Sequence, residues 1–406
     1  MASSDTYVIV GAGHGAGQAV ASLRQKGFDG RLILIGEEPF IPYQRPPLSK
    51  AFLAGDLARD RLYFKPSDFY TRNNVDLMLS TRVVNIDRRA KSVQVHDGRQ
   101  VSYHKLLVMT GSRVRQLTVP GVDLPGIHYV RTIEDVEGIR ENFAEGAKLV
   151  VVGGGYIGLE VAAIAAKRGL DVTVIEAEDR VMSRVVGPEI SRFFTQVHTQ
   201  QGVKILTGKG VKGFAGTGKI EQVVCTDDTR LAADLAVIGV GILPNQELAA
   251  ESGLNAENGI IVDEYCRTND PHIFAAGDCT NHPNGIFGMR IRLESVQNAL
   301  EQAKTAALAM LGDLKAYNQV PWFWSDQYDI KFQIAGLSKG YDQIVLRGDP
   351  SARKFAAFYL KDGTLLAVDA INSAHEYMVG RKLIAAKARP DPEKLTDTTL
   401  SMKQVV

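Results

Sequence analysis

Apolar residues form two similar arrangements along the chain. In each, a short apolar run is followed by a glycine-rich turn, an alanine-rich stretch and a second apolar run. This order is typical of a strand, a helix and a second strand that pack as one βαβ unit on a parallel sheet. The predicted elements are Tyr7–Val10, Gly17–Lys26 and Arg31–Ile35 in the first unit, and Lys148–Val152, Gly158–Arg168 and Asp171–Ile175 in the second.

The pattern changes in the last quarter of the chain. Before Pro321, apolar runs predict strands at Tyr103–Thr110 and near Leu235 and Ile273, and a long helix over Arg292–Leu311. After Pro321, short alternating runs between Gly and Asp turns predict an antiparallel sheet followed by helices. Its strands are predicted at Ile330–Ile334, Gln343–Arg347, Lys354–Tyr359 and Leu365–Ala370.

These elements predict an α/β protein with two Rossmann-like domains and a C-terminal α+β domain. We expect the chain to divide into the segments 1–114, 115–243, 244–320 and 321–406, with the first and third segments forming one domain. A chain of 406 residues is too long for one core, so several domains are expected.

The glycines of both turns have the spacing of dinucleotide-binding loops. They allow a tight turn, close approach of the backbone to a pyrophosphate, and close packing of the helix on the strand. The start of the helix then presents unpaired N–H groups to the phosphates. The candidate cofactor-binding residues are Gly11, Gly13, Gly15 and Ala16 in the first loop, and Gly153, Gly155, Tyr156, Ile157 and Gly158 in the second. Two such loops predict two bound dinucleotides and electron transfer between them.

An acidic residue follows the second strand of each unit. Glu37 and Glu176 lie where a carboxylate can accept a hydrogen bond from a ribose hydroxyl. At Glu176 the carboxylate also repels a 2′-phosphate, which favours NADH over NADPH. Arg180 and Arg184 follow closely, so the strictness of that preference stays open.

Composition excludes several classes of function. The net charge is +1 and 45% of residues are apolar, so nothing predicts binding to nucleic acid or a membrane. No apolar run is long enough to span a bilayer and the first residues do not resemble a signal peptide, so we expect a cytoplasmic protein. Cys225, Cys266 and Cys279 are isolated, which excludes a C-x4-C redox disulfide, and we expect no bound metal. His198 is expected at the surface.

Further candidates lie outside the glycine loops. A proline-rich loop can hold Arg45 and Lys50 in place. Glu160 either faces a cofactor or serves only the helix dipole. Asp278 ends an apolar strand, and the following helix can direct its N-terminus at a flavin; this second element favours FAD at the first loop. The helix-start candidates are Glu294, Ser295 and Val296, and Gly241 lies in a further glycine-rich turn.

The chain resembles the oxygenase-coupled, NADH-dependent ferredoxin reductases, FAD-dependent members of the pyridine nucleotide-disulfide oxidoreductase superfamily that lack the redox disulfide. The resemblance covers essentially the whole chain. It is carried by Pro46–Lys50, Gly153–Glu160, Gly277-Asp278, Arg292–Ala299 and Trp322–Tyr328.

The resemblance implies a glutathione-reductase-like plan with FAD and NADH domains. It implies that Lys50 lies near the reactive edge of the flavin and that Trp322 and Trp324 border the flavin and the partner. The implied FAD contacts are Gly15, Glu37, Lys50, Val83, Arg131, Asp278 and Val296.

The implied activity is transfer of electrons from NADH through FAD to a [2Fe-2S] ferredoxin, which supplies a cytochrome-type monooxygenase or a ring-hydroxylating dioxygenase. An acidic ferredoxin would dock near Arg290, Arg292, Lys304 and Trp324, although those basic residues are equally typical of solvated helix faces. Met289 departs from the polar or basic residue expected there.

Other readings stay open. The acceptor could instead be rubredoxin, a quinone, ascorbyl radical or oxygen, or the chain could be a non-enzymatic, NADH-sensing flavoprotein. The charged, proline-interrupted tail over 383–406 disfavours a membrane quinone reductase, and the lack of a basic patch disfavours the sensor. The sequence leaves open the identity of the ferredoxin, the final substrate, and whether the protein is a monomer or a weak dimer.

Overall fold

The computed structural model describes residues 4–405 and divides into two compact units. The first unit comprises the chain up to Arg45 together with Arg59–Arg113 and Ile242–Pro321. The second comprises Pro46–Ala58, Val114–Gly241 and the chain from Trp322 onward. Each unit is therefore formed by three segments of the chain that are distant in sequence, and each has its own hydrophobic core.

The first unit is built on a five-stranded parallel sheet. From one edge to the other, its strands are Ile273–Ala275, Lys105–Val108, Thr6–Val10, Arg31–Ile35 and Val75–Met78. The central strands are almost wholly apolar and buried, as expected when helices cover both faces of a parallel sheet. Helix His14–Gln25 directly follows the central strand and packs against helix Val296–Met310.

Smaller elements complete the first unit. Its other helical elements are the 3-10 turn Arg59–Leu62 and the helices Ser67–Arg72 and Glu247–Glu251. Its small sheets consist of Val83–Asp87, Ser92–Val95 and Gln100–Ser102, and of Ile260–Ile261, Thr280–Asn284 and Met289–Ile291. Strands Ser112–Val114 and Ile242–Pro244 lie where the chain changes unit.

The second unit repeats the parallel arrangement. The strand order is Lys204–Leu206, Asp171–Ile175, Lys148–Val152, Leu235–Ile238 and Ile127–Tyr129. The helical elements around it are Pro46–Ser49, Ile133–Arg140, Tyr156–Lys167 and Pro188–Gln200, and an antiparallel sheet consists of Val211–Ala215, Gln222–Cys225 and Arg230–Ala232.

A second, antiparallel sheet of this unit is formed by the C-terminal part of the chain. Its strand order is Trp322–Gln327, Ile330–Gly336, Thr364–Ile371, Lys354–Lys361 and Gln343–Asp349. Helices Ala374–Ala385 and Pro392–Thr396 follow it. The two parallel sheets and this sheet confirm the predicted α/β fold class, whereas the finer domain boundaries stay a prediction.

Several predicted helix starts are wrong. The helix after the first glycine loop begins at His14, three residues before the predicted start, and the helix after the second loop begins at Tyr156, two residues before. Both begin early because the last glycines of each loop already adopt helical geometry. The long helix begins at Val296 rather than Arg292, because Ser295 caps it and Met289–Ile291 forms a strand. Within residues 4–405, no helix has the length and apolar character needed to cross a bilayer.

Candidate functional site

The first glycine loop connects the central strand to its helix in a conformation that only glycine adopts easily. Gly11 has a φ of +108°, and a Cβ there would lie 2.1 Å from the carbonyl oxygen of Met109. Gly13 caps the helix in extended geometry, and within the described chain no side chain caps its first N–H groups. Apart from Gly13 and its neighbours along the chain, no described atom lies within 4 Å of where a Cβ of Gly13 would be. The loop thus combines open space with N–H donors, which fits a pyrophosphate.

Gly15 and Ala16 serve the packing behind that loop. A Cβ on Gly15 would lie 2.8 Å from the Met109 methyl carbon and 3.2 Å from the carbonyl oxygen of Ala299. Ala16 is buried in the same layer. Small residues at these two positions therefore allow helix Val296–Met310 to approach the loop helix closely.

The acid at the end of the second strand is exposed. Glu37 has 69% of its side chain exposed and lies 3.8 Å from the guanidinium of Arg82, so its carboxylate is accessible to a ribose. The next residue, Glu38, accepts hydrogen bonds from Tyr43 at 2.5 Å and from Arg45 at 2.5 Å. Arg45 is thus held by Glu38, a partner that the sequence did not single out.

Asp278 lies in a loop that is fixed from two sides. Ser112 donates a hydrogen bond to its carboxylate at 2.9 Å. The preceding residue, Gly277, has a φ of +88° and donates its N–H to Oε1 of Gln302 at 2.7 Å. Gln302 therefore connects this loop to helix Val296–Met310, a role that no local pattern in the sequence signals.

The start of that helix and the neighbouring candidates are ordered by local contacts. Ser295 accepts a hydrogen bond from the backbone N–H of Asn298 at 3.1 Å, and Val296 is the first helical residue. Glu294 is engaged by Arg292 at 2.5 Å. Val83 is a buried residue at the start of strand Val83–Asp87.

The second glycine loop repeats the geometry of the first. Gly153 has a φ of +105° and donates to the carbonyl of Ile175 at 2.8 Å, as Gly11 does to Ile35. A Cβ on Gly158 would lie 2.0 Å from the carbonyl oxygen of Gly153. Apart from Gly155 and its neighbours along the chain, no described atom lies within 4 Å of a Cβ on Gly155. The open position at Gly155 and the helix start behind it fit a second pyrophosphate.

Tyr156, Ile157 and Gly241 lie around this loop. Tyr156 begins the helix and packs its ring 4.9 Å from that of Phe323, and burial raises its pKa well above the usual value. Ile157 is exposed although apolar. Gly241 has a φ of +102°, which permits a sharp turn after strand Leu235–Ile238.

Glu176 is anchored to the second loop. One carboxylate oxygen accepts from the N–H of Gly154 at 2.7 Å and the other from the N–H of Glu178 at 2.9 Å. Arg180 donates to the backbone carbonyls of Ser183 and Val186, so its guanidinium stabilises a loop. The negative charge of Glu176 is consequently not neutralised by Arg180.

Glu160 is the centre of a buried polar cluster in the second unit. Only 1% of its side chain is exposed, and Nζ of Lys50 lies 2.7 Å from Oε2. Ser49 donates to the same oxygen at 2.5 Å, and Ser325 donates to Oε1 at 2.6 Å. Because the helix begins at Tyr156, Glu160 starts its second turn and faces inward. Glu160 is therefore not in the first helical turn, where an acid interacts most strongly with the helix dipole.

The polar cluster continues away from Glu160. Gln327 donates to Oγ of Ser325 at 3.1 Å, and its carbonyl oxygen lies 2.8 Å from Nε2 of His198. The hydroxyl of Tyr328 lies 3.2 Å from Nδ1 of His198. His198 is fully buried, so its predicted surface position is wrong, and burial lowers its pKa to about 4.

Comparison with known proteins identifies the family. The model of the pyridine nucleotide-disulphide oxidoreductases matches residues 5–303, and a reductase C-terminal model matches residues 322–406. The chain belongs to the pyridine nucleotide-disulphide oxidoreductase family. This confirms the resemblance inferred from the sequence, and members of the family use FAD together with a pyridine nucleotide.

Similarity to individual members extends over the whole chain. The chain is 43% identical to rhodocoxin reductase of Rhodococcus erythropolis over 403 residues, and the match covers 99% of this chain and 94% of the relative. It is 40% identical to putidaredoxin reductase of Pseudomonas putida over 412 residues, covering 100% of this chain and 98% of the relative. The crystal structure of a covalent putidaredoxin reductase–putidaredoxin complex matches with a TM-score of 0.96 at 40% identity, covering 99% and 98% of the two chains.

This family member lacks the redox disulfide of its family name. Cys225, Cys266 and Cys279 all lie in the described part of the chain, where each is a buried, unpaired thiol. Burial raises the pKa of all three above the usual value, which disfavours the reactive thiolate. Electrons leaving the cofactors therefore need an acceptor other than a disulfide of this chain.

The basic residues predicted for docking all form ion pairs or hydrogen bonds within the protein. Arg292 pairs with Glu294, and Lys304 pairs with Glu301 at 2.6 Å on helix Val296–Met310. Arg290 donates to the backbone carbonyl of Val262 at 2.8 Å and lies on a strand rather than a helix. The two ion pairs reduce the charge that Arg292 and Lys304 can offer to a partner, whereas the bond to a neutral carbonyl leaves Arg290 charged.

The aromatic candidates for docking lie in the second unit. The rings of Trp322 and Trp324 lie 5.8 Å apart on the strand that carries Ser325, and the guanidinium of Arg381 lies 5.9 Å from the centre of the Trp322 ring. Arg131, a further predicted contact, donates its backbone N–H to Asp135 at 2.9 Å, beside the helix cap at Thr132.

Proposed function

We propose that this protein transfers electrons from NADH through FAD to a [2Fe-2S] ferredoxin, which supplies a cytochrome-type monooxygenase or a ring-hydroxylating dioxygenase. One observation carries the proposal: two dinucleotide loops occur together with three buried, unpaired cysteines. The first feature fits a flavin and a nicotinamide, and the second requires an external electron acceptor. The similarity over the whole chain to rhodocoxin reductase supports a small iron–sulfur protein in that role.

Both dinucleotides fit the loops by the same criterion, the open space at Gly13 and at Gly155 beside an uncapped helix start. When bound, FAD would accept two electrons together from NADH and pass them on one at a time. The residues proposed to hold FAD are Gly11, Gly13, Gly15, Ala16, Glu37, Arg45, Lys50, Val83, Arg131, Asp278, Glu294, Ser295, Val296 and Trp322. Those proposed to hold NADH are Gly153, Gly155, Tyr156, Ile157, Gly158, Glu176 and Gly241.

Lys50 and Glu160 are the proposed catalytic residues. The ammonium group of Lys50 stabilises negative charge that develops on the cofactor during reduction. Glu160 holds that ammonium group at 2.7 Å and is itself fixed by two serine hydroxyls. Loss of Lys50 would leave a buried carboxylate without its cation, which typically costs about 3–5 kcal/mol.

Glu176 sets the preference for NADH. Its carboxylate is fixed by two backbone N–H groups at the edge of the second loop, where an adenine ribose is expected. A free 2′-hydroxyl can donate to this carboxylate, whereas a 2′-phosphate meets a like charge. The preference follows from repulsion as much as from attraction.

Docking of the ferredoxin would use Trp322 and Trp324 together with Arg290, Arg292 and Lys304. The carboxylate partners of Arg292 and Lys304 must be displaced or shared for these charges to act, so the aromatic pair is the stronger part of the proposal. We propose that the protein works in the cytoplasm, where NADH can supply electrons and an oxidised ferredoxin can accept them.

The decisive experiment is reduction of cytochrome c by NADH in the presence of the FAD-loaded protein, with and without added [2Fe-2S] ferredoxin. We expect rapid reduction of the bound FAD by NADH in stopped flow, and cytochrome c reduction that increases in proportion to ferredoxin. Rubredoxin and a soluble quinone are tested as acceptors in parallel. Faster turnover with either of these would replace ferredoxin as the acceptor, and slow FAD reduction without turnover would instead indicate an NADH sensor.

A further inference from the structure

The buried polar cluster of the second unit extends well beyond the two proposed catalytic residues. Four of its side chains, those of Glu160, Ser325, Gln327 and His198, are buried from solvent. They come from three different elements: helix Tyr156–Lys167, helix Pro188–Gln200 and strand Trp322–Gln327. Burial of several polar groups lowers the stability of the folded protein unless every one is hydrogen-bonded. The hydrogen bonds within this cluster are therefore essential to it.

The donor and the acceptor of each hydrogen bond in this cluster can be assigned in only one way. The carboxylate of Glu160 can only accept, so Ser325 donates its hydroxyl proton to Oε1. Oγ of Ser325 then accepts from the amide NH2 of Gln327, which leaves the carbonyl oxygen of Gln327 facing His198. Nε2 of His198 must therefore carry its proton.

The same reasoning fixes the other end of the chain. With a proton on Nε2, neutral His198 accepts at Nδ1 from the hydroxyl of Tyr328. Every donor from Tyr328 to Ser325 points toward Glu160. The aligned dipoles favour negative charge on this carboxylate, and each bond polarises the next.

We infer that Ser325, Gln327 and His198 are positioning residues that hold the Glu160 carboxylate in a single orientation for the oxidation of NADH. This inference rests on the proposed role of Glu160. The two carboxylate oxygens have separate supports: Oε2 contacts Lys50 and Ser49, whereas Ser325 is the hydrogen-bond donor to Oε1. Loss of the Ser325 hydroxyl would free the carboxylate to rotate and would move the ammonium group of Lys50 with it.

The neutral state of His198 is part of the arrangement. A second proton on Nδ1 would oppose the hydroxyl proton of Tyr328 and would place a cation in the core. Burial lowers the pKa of His198 to about 4, which keeps the ring neutral across the working range of pH.

The test compares Ser325→Ala with a matched control, Ser191→Ala, in the full-length, FAD-loaded protein. Both serines are buried in the second unit, but the hydroxyl of Ser191 donates to the backbone carbonyl of Val181 at 2.7 Å and not to Glu160. The measurements are kcat and KM for NADH with ferricyanide as acceptor, the midpoint potential of the bound flavin, and the melting temperature. Glu160→Gln provides the reference for complete loss of the charge.

We expect Ser325→Ala to lower kcat about tenfold, because a hydrogen bond to a charged group is lost, with KM for NADH within about twofold of the parent value. The midpoint potential should become more negative, since the less neutralised carboxylate opposes reduction. Ser191→Ala should lower the melting temperature while kcat and the potential stay unchanged. Gln327→Leu, which interrupts the chain one bond further away, should change kcat and the potential in the same direction as Ser325→Ala, by a smaller factor.

Three results would overturn the inference. If Glu160→Gln changes kcat and the potential but Ser325→Ala and Gln327→Leu do not, Glu160 acts without positioning residues. If Ser191→Ala changes kcat and the potential as much as Ser325→Ala, the effect is one of general destabilisation. Unchanged kcat and potential in Glu160→Gln would instead refute the proposed role of Glu160 itself, and the inference with it.

Discussion

A buried acid in the C-terminal sheet should make the protein less stable as the pH rises. Asp369 lies on the central strand of that sheet, with 1% of its surface exposed, and accepts a hydrogen bond from the hydroxyl of Tyr359 at 2.6 Å. Burial raises its pKa to about 7, from a usual value near 3.8. The neutral hydroxyl of Tyr359 only partly opposes this effect of burial.

The sign and size of the effect follow from proton linkage. Below pH 4 the carboxyl is protonated in both states and contributes no pH dependence. Between about pH 4 and pH 7 it is ionised in the unfolded chain but stays protonated in the folded chain, so unfolding becomes easier as the pH rises. At about 1.4 kcal/mol per pH unit over about three units, the contribution of Asp369 to the free energy of unfolding falls by about 4 kcal/mol and does not change further above pH 7.

The variant Asp369→Asn removes this loss while it retains an acceptor for Tyr359. We expect urea unfolding of the FAD-loaded variant to resemble that of the parent at pH 4 and to require clearly more urea at pH 8. Asp326→Asn, at an exposed site on the edge strand of the same sheet, is the control and should show no such divergence. A stability difference between Asp369→Asn and the parent that is constant from pH 4 to pH 8 would refute the reasoning.

Three further predictions concern the cofactors and the partner. Gly155→Ala should raise KM for NADH at least about tenfold, because its Cβ enters the space assigned to the pyrophosphate, and should leave the melting temperature unchanged. The control variant Gly158→Ala should instead lower the melting temperature, because its Cβ would lie 2.0 Å from the carbonyl oxygen of Gly153. Glu176→Ala should raise the ratio of kcat/KM for NADPH to that for NADH by about tenfold or more, since repulsion of the 2′-phosphate is lost; an unchanged ratio would place the specificity elsewhere. Raising NaCl from about 50 mM to about 300 mM should slow ferredoxin-dependent cytochrome c reduction but not reduction of a neutral quinone, and equal slowing would argue against charge-assisted docking.

The sequence predicted those parts of the site that depend on local backbone geometry. Gly11 and Gly153 need positive φ angles, and their spacing from the following strands is fixed by hydrogen bonds to Ile35 and Ile175. Such constraints act within a few residues, so a pattern of glycines and apolar runs reveals them. The start of the long helix was missed because Arg292 and Glu294 are also common in first helical turns, and only the cap at Ser295 identifies the boundary.

The sequence did not predict the partners that fix the candidate residues. Glu160 and Ser325 are 165 positions apart, and the bond between them depends on how the C-terminal sheet packs on helix Tyr156–Lys167. His198 looked like a surface residue because its neighbours Thr199, Gln200 and Gln201 are polar, yet it faces inward on helix Pro188–Gln200. Long-range contacts of this kind leave no periodic signal near either residue.

The strand Trp322–Gln327 gives the C-terminal part of the chain a place in the proposed chemistry. Side chains alternate along a strand, so Phe323, Ser325 and Gln327 share one face, while Trp322, Trp324 and Asp326 share the other. On the first face, Phe323 packs against Tyr156 and Ser325 holds Glu160. The opposite face carries the paired tryptophans and an exposed acid. One strand thus carries both the serine that donates to the proposed catalytic carboxylate and the tryptophans proposed to contact the ferredoxin. Removal of the C-terminal sheet would consequently remove the aromatic surface proposed for docking and the serine that donates to Oε1 of Glu160, so a truncated protein should reduce ferricyanide poorly even though both glycine loops are intact.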